Sequence, residues 1–184
     1  DHENISELQQ DKLKVENSIK ENIEILTHWS QKNKGINKPK MVFINTSGGG
    51  LRSALWTVHV LSFLDSITNQ QLIKQTHLIT GASGGMIGAA FYRENYKKGI
   101  YGETMVNGNE MKIRISKDLL NPLAFSIATT DMFYRFKKHD DGKYIYTKDR
   151  GWFFEKNLIE NLNCFEGKRI LDYKLPEYHS DIPM

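Results

Sequence analysis

The sequence predicts an α/β fold with a largely parallel central sheet. Two observations carry that prediction. Residues 41–45, Met41-Val42-Phe43-Ile44-Asn45, form a short apolar run that passes into Thr46-Ser47-Gly48-Gly49-Gly50 and then into a helical pattern. Residues 77–80, His77-Leu78-Ile79-Thr80, repeat the arrangement, passing into Gly81-Ala82-Ser83-Gly84-Gly85 and a second helical pattern. Strand, helix, strand, helix is a βαβα unit, whose right-handed crossover makes the two strands parallel. Both glycine-rich loops then leave the sheet at the same carboxyl edge, roughly 5 Å apart if the strands are neighbours. Open α/β sheets place their ligands at that edge.

The remaining elements follow in chain order. Ile5, Leu8, Val15, Ile19, Ile23, Leu26 and Trp29 recur at spacings near three and four, which predicts an amphipathic helix up to residue 30. Residues 32–40 are charged and contain Gly35 and Pro39, as in a linker. This divides the chain into a helical extension with its linker, residues 1–38, and a main domain, residues 39–184. The run 41–45 suits a strand buried on both faces. The helix over residues 51–65 carries Ala54, Leu55, Val58, Leu61 and Leu64 as a broad apolar stripe, and a further helix is expected over residues 86–96. Residues 119–136 are apolar and aromatic without one clean period. Residues 137–143 read as a polar turn. A helix is expected over 152–162, and the last twenty residues read as irregular.

Composition narrows the function classes. A hydrophobic share of 39% and a charged share of 26% describe a globular chain. The net charge of +3 comes from Lys and Arg interleaved with Asp and Glu, which is no nucleic-acid signature. It leaves room for weak peripheral contact with an anionic membrane. Cys164 is the only cysteine, so no internal disulfide forms. The histidines are scattered and no Cys/His set has metal-ligand spacing, so neither a metal nor a cofactor is expected. No leader and no transmembrane run is present in residues 1–184, which points to an intracellular or membrane-peripheral location.

The chemistry lies in the two loops. Gly81-Ala82-Ser83-Gly84-Gly85 fits G-x-S-x-G, which on a strand-to-helix turn is a nucleophile elbow. The turn must expose the Ser83 hydroxyl, and Gly81 and Gly85 permit the close packing it needs. The N–H of Gly84 falls at a helix start, where donors are free and the dipole favours a negative oxygen. The same string also suits a glycine turn that merely packs a helix against a sheet. Gly48-Gly49-Gly50-Leu51-Arg52 supplies a second nest of backbone N–H groups. A phosphate cradle is the competing reading, but neither G-x-x-x-x-G-K-[ST] nor G-x-G-x-x-G is present. Arg52 serves either as a surface cation or as a brace for its loop.

Together the loops resemble the patatin-like phospholipase family, which pairs a G-G-G-x-R oxyanion loop with a G-x-S-x-G elbow in that order. The resemblance covers residues 40–96. It departs at Ser47, where the family often has Asp, and at Ser53, where it often has Gly. The resemblance implies a three-layer α/β/α fold, truncated at its C-terminal side. It implies Ser83 as nucleophile, with Gly48, Gly49, Gly50 and Gly84 forming the oxyanion hole. Arg52, Gly81 and Gly85 would support the motifs. The implied substrate is a lipid acyl ester, cleaved by a Ser-Asp dyad through an acyl-serine intermediate.

The dyad aspartate belongs to a D-G-[GA] string, which residues 1–184 lack. The nearest string is Asp141-Gly142-Lys143, with lysine in place of the small residue. Asp149, Asp172 and Asp181 have no following glycine. The aspartate is therefore expected beyond residue 184, and the fragment alone is expected to be nearly inactive. Two rivals remain: a catalytically silent binding module of the same fold, and a Ser-His-Asp hydrolase. The second requires a histidine at Ser83, whereas His59 and His77 read as structural and His139 and His179 as exposed.

Overall fold

The computed structural model describes residues 12–132, 138–140, 142 and 144–184. It is a mixed helix and strand structure with a small parallel sheet of two strands. The elements run α1 (Lys12–Lys32), β1 (Val42–Thr46), α2 (Gly50–Ile67), α3 (Gln71–Gln75), β2 (Thr76–Gly81), α4 (Ser83–Ile100), α5 (Gly108–Ile115) and α6 (Leu120–Ser126). A π-helical turn (Ile127–Asp131) continues α6. Then come β3 (Lys138–Asp140), β4 (Ile145–Thr147), α7 (Arg150–Leu162), a 3-10 turn (Ile170–Tyr173) and α8 (Lys174–Tyr178). No helix among the described residues is long and apolar enough to cross a membrane.

The chain forms two compact units: residues 1–45, 64–80 and 169–184 make one, and residues 46–63 and 81–168 the other. In the first unit, Trp29, Ile73, Ile79 and Ile182 are buried. Trp29 Nε1 donates to the Gln75 carbonyl at 3.0 Å, and His28 Nδ1 lies 2.8 Å from the Tyr178 carbonyl. Lys32 Nζ donates to the Ser180 and Asp181 carbonyls at 2.8 and 3.1 Å. These bonds explain why residues 169–184 are ordered rather than irregular. The short turns there gain their stability from α1, not from their own propensity. Asn33, read as linker, is fully buried, and its Nδ2 donates to the Trp29 carbonyl. The stripe Val15, Ile19, Ile23 and Leu26 on α1 is exposed, and only Trp29 at its end is covered. Ile5 and Leu8 lie outside the described residues.

Both strands end one residue nearer the loop than the apolar runs suggest, with β1 also starting one residue later and β2 one residue earlier. β1 is not buried on both faces. Its residues alternate between half-buried and exposed, and Phe43 is 62% exposed, its ring edge-on to His77. Successive strand side chains point to opposite faces, and only one face of β1 is covered by described residues. The N–H of Ile79 donates to the Met184 carbonyl at 2.8 Å, and the N–H of Met184 donates to the His77 carbonyl at 3.0 Å. Met184 thus bonds to β2 in the slanted pattern of a parallel ladder.

The second unit is built on α4. Ala54, Val58 and Leu61 of α2 are buried there, with Ala89, Phe91 and Tyr92 of α4 and Met111 and Ile115 of α5. Gly88 lets the helices meet, because a Cβ there would overlap the Ala54 carbonyl. Asn95, also buried, accepts from the Val106 N–H and donates to its carbonyl, pinning the loop before α5. Glu94, 1% exposed, pairs with Lys168 at 2.5 Å. The apolar segment 119–136 divides: Leu119 and Ser126 are buried, while Leu120, Phe125 and Met132 are exposed, Phe125 at 70%. Phe133 and Phe136 lie outside the described residues. The expected polar turn is a hairpin, β3 pairing antiparallel with β4 around Gly142.

Candidate active site

The site is assembled from two strand ends and two helix starts. β1 ends at Thr46 and β2 at Gly81, and the Ala82 N–H donates to the Thr46 carbonyl at 3.2 Å. This bond holds the loop 47–49 and the turn 81–83 side by side. Gly81 is required where the strands converge, since a Cβ there would overlap Thr46.

Ser83 is the first residue of α4, follows β2 after a single residue, and is exposed. Its φ is 50°, in the left-handed region that non-glycine residues rarely adopt. Ala82 before it is extended, with φ −135° and ψ 150°. An extended residue followed by a left-handed one turns the chain sharply from strand to helix and thrusts the Ser83 side chain outward. Such backbone strain costs on the order of 1–3 kcal/mol and persists where the surroundings over-determine it.

Those surroundings are the glycines. A Cβ on Gly84 would overlap the Gly50 carbonyl, and one on Gly85 would overlap the Ser47 carbonyl. A Cβ on Gly48 would stand 3.4 Å from Ser83 Cβ. The glycine loop therefore lies against the first turn of α4, with Gly48 beside Ser83. Gly49 and Gly50 have φ of 136° and 60°, conformations that glycine adopts at no steric cost. The first N–H groups of α2 and α4 lack intrahelical partners, and neither helix has an acidic residue in its first turn. Both helix starts thus have positive dipole ends with no acidic residue in the first turn, and Gly50, where α2 starts, lies against Gly84 beside Ser83.

The structure brings Ser83, Gly48, Gly49, Gly50, Gly81, Gly84 and Gly85 together. Arg52 is exposed, and the contact that braces the loop comes from its neighbour: Ser53 Oγ donates to the Ser47 carbonyl at 2.6 Å. The sequence marks Ser53 only as a departure from the pattern of the resembled family and gives no sign of its partner.

No aspartate or histidine of the described residues is hydrogen-bonded to Ser83 Oγ. Asp149 caps α7 by accepting from the Trp152 N–H, and Asp172 accepts from the Arg169 N–H. Asp141 lies outside the described residues. His59 is on the exposed side of α2 against Trp56. His77 is half-buried in β2, where burial lowers its pKa from the ordinary imidazole value. His139, expected to be exposed, is half-buried with its ring 5.6 Å from that of Trp152, and His179 is exposed. Among the described residues no group of His, Cys, Asp or Glu is placed to hold a metal ion. Comparison with protein-family models, with curated proteins and with solved structures found no match to this chain.

Proposed function

We propose that the chain carries the nucleophile and oxyanion loop of a serine acyl hydrolase of patatin-like type, acting on lipid acyl esters. The observation that carries this reading is the exposed, left-handed Ser83 at a strand-to-helix turn, with glycine backbone packed against it from a second loop. Ser83 Oγ attacks the ester carbonyl, and the carbonyl oxygen gains the negative charge of a tetrahedral intermediate. The N–H of Gly84 and the N–H groups of the 48–50 loop stabilise that charge. Each such donor contributes roughly 3–4 kcal/mol of barrier lowering. Collapse of the intermediate releases the alcohol and leaves an acyl-serine, which water then hydrolyses to the free acid.

Ser83 must lose its proton to a base as it attacks. No described aspartate is hydrogen-bonded to Ser83 Oγ, so the reading assigns that base to an aspartate outside the described residues. A free aspartate is a weak base near neutral pH, with pKa about 3.9, and must be desolvated or bonded to Ser83 to serve. The absence of a described carboxylate or histidine at Ser83 is the one observation that favours a silent binding module instead.

The two readings separate in a turnover assay of the full-length protein on long-chain acyl esters and on phospholipid vesicles. The hydrolase reading expects release of fatty acid that falls at least roughly a thousandfold in Ser83→Ala. Binding to the vesicles without release of fatty acid would instead establish the module.

A further inference from the structure

The best-defined side-chain contact in the glycine loop is made by a residue of neither motif. Ser53 Oγ donates to the Ser47 carbonyl at 2.6 Å, and the Ser53 N–H donates to the Gly49 carbonyl at 3.4 Å. A Cβ on Gly49 would stand 3.1 Å from Ser53 Cβ, and one on Gly85 would stand 3.1 Å from Ser53 Oγ. Ser53 is thus wedged between the loop it bonds and the first turn of α4.

The consequence follows from peptide geometry. A trans peptide is planar, and its C=O and N–H point in opposite directions. Holding the Ser47 carbonyl on Ser53 therefore turns the Gly48 N–H away from Ser53. Gly48 is the loop residue beside Ser83. It is followed by two more glycines with positive φ, so what restrains that peptide is the Ser53 hydrogen bond together with the packing of the Ser47 carbonyl against Gly85.

We propose that Ser53 is a positioning residue whose hydroxyl locks the Ser47–Gly48 peptide in one orientation, presetting the Gly48 N–H as a donor toward an oxyanion at Ser83. The presetting of the donor rests on the acyl-hydrolase reading, whereas the locking of the loop does not. One hydrogen bond of this kind changes the ratio of ordered to rotated loop by about five- to tenfold. A donor that is preset costs no reorganisation when the oxyanion forms, so its loss appears in kcat rather than in KM.

The test compares the full-length wild type with Ser53→Ala and Ser53→Thr. It reads amide hydrogen exchange at Ser53, whose N–H donates to the Gly49 carbonyl of the loop, and turnover of a long-chain acyl ester. Alanine is a good helix former, so Ser53→Ala is expected to fold. The proposal expects faster exchange in Ser53→Ala and a kcat about five- to tenfold lower, with KM within about twofold. Ser53→Thr, which keeps the hydroxyl, should recover most of both. Wild-type exchange rates in Ser53→Ala overturn the lock, whatever the turnover. Faster exchange with unchanged kcat keeps the lock and overturns the presetting. A wild type without turnover at Ser83 removes the hydrolase reading and with it the presetting, and the exchange comparison still decides the lock.

Discussion

The carbonyl of Gly50 occupies the space where a Cβ on Gly84 would have to lie. One glycine belongs to the loop after β1 and the other to the turn after β2, so this approach joins the two halves of the site. Gly84→Ala should therefore force the loop away from α4. Overpacking of this kind costs typically 1–3 kcal/mol. Gly50→Ala is the instructive comparison, because no atom lies within 4 Å of a Cβ there and only its φ of 60° opposes the change. It should cost about 1 kcal/mol. Denaturant unfolding of both variants checks the order; equal losses would mean that the loop yields freely.

Ser83 is held at φ 50°, and glycine accepts that angle without strain. Ser83→Gly should stabilise the fold by about 1 kcal/mol while abolishing any reaction at this position. Ser83→Ala keeps the strain and should leave stability within about 0.5 kcal/mol of wild type. Thermal unfolding of the three proteins decides. A glycine variant less stable than the alanine variant would contradict the strained turn.

Much of this site was legible because glycine carries conformational information. Gly49, Gly50, Gly81, Gly84 and Gly85 each stand where a Cβ is crowded or where φ is positive, so their pattern marks the loops directly. The strand and helix periods located β1, β2, α2 and α4 to within a few residues. What escaped was set by tertiary contacts. The Ser53 hydroxyl acquires its partner only when α2 turns back on Ser47, and Asn33 is buried by packing that a charged, Gly- and Pro-containing segment does not advertise. The turns of residues 170–178 are too short to signal themselves and are held by α1.

Burial pushes Lys32 down to about 8, with Asp181 opposing the shift and Lys74 adding to it. The folded pKa lies below the unfolded value of 10.5, so the unfolded chain binds more protons between these two values. Stability should therefore rise with pH through that window and show no Lys32 contribution to its slope below it. The gain relative to Lys32→Met should be roughly 1–3 kcal/mol. Urea unfolding at several pH values between the two limits tests it; parallel pH profiles for the two proteins would contradict a charge held against burial.

Cys164 is 8% exposed, and burial together with the Glu94 charge pushes its thiol up to about 12. The thiolate is the reactive form, so the native protein should resist alkylation near neutral pH. Denaturant should restore the reactivity of an ordinary cysteine. The ratio of native to unfolded labelling rates, followed by intact mass, should be below about one in a hundred. Comparable rates would mean that the α5–α7 region opens readily.

The most direct test of the central claim is covalent labelling of the full-length protein with a fluorophosphonate, with the modified residue located by peptide mass spectrometry. A single adduct is expected on Ser83, absent from Ser83→Ala and slowed in Gly84→Ala. No adduct on Ser83 in a folded, full-length protein would show that the serine is not activated, and the acyl-hydrolase reading would give way to the binding module.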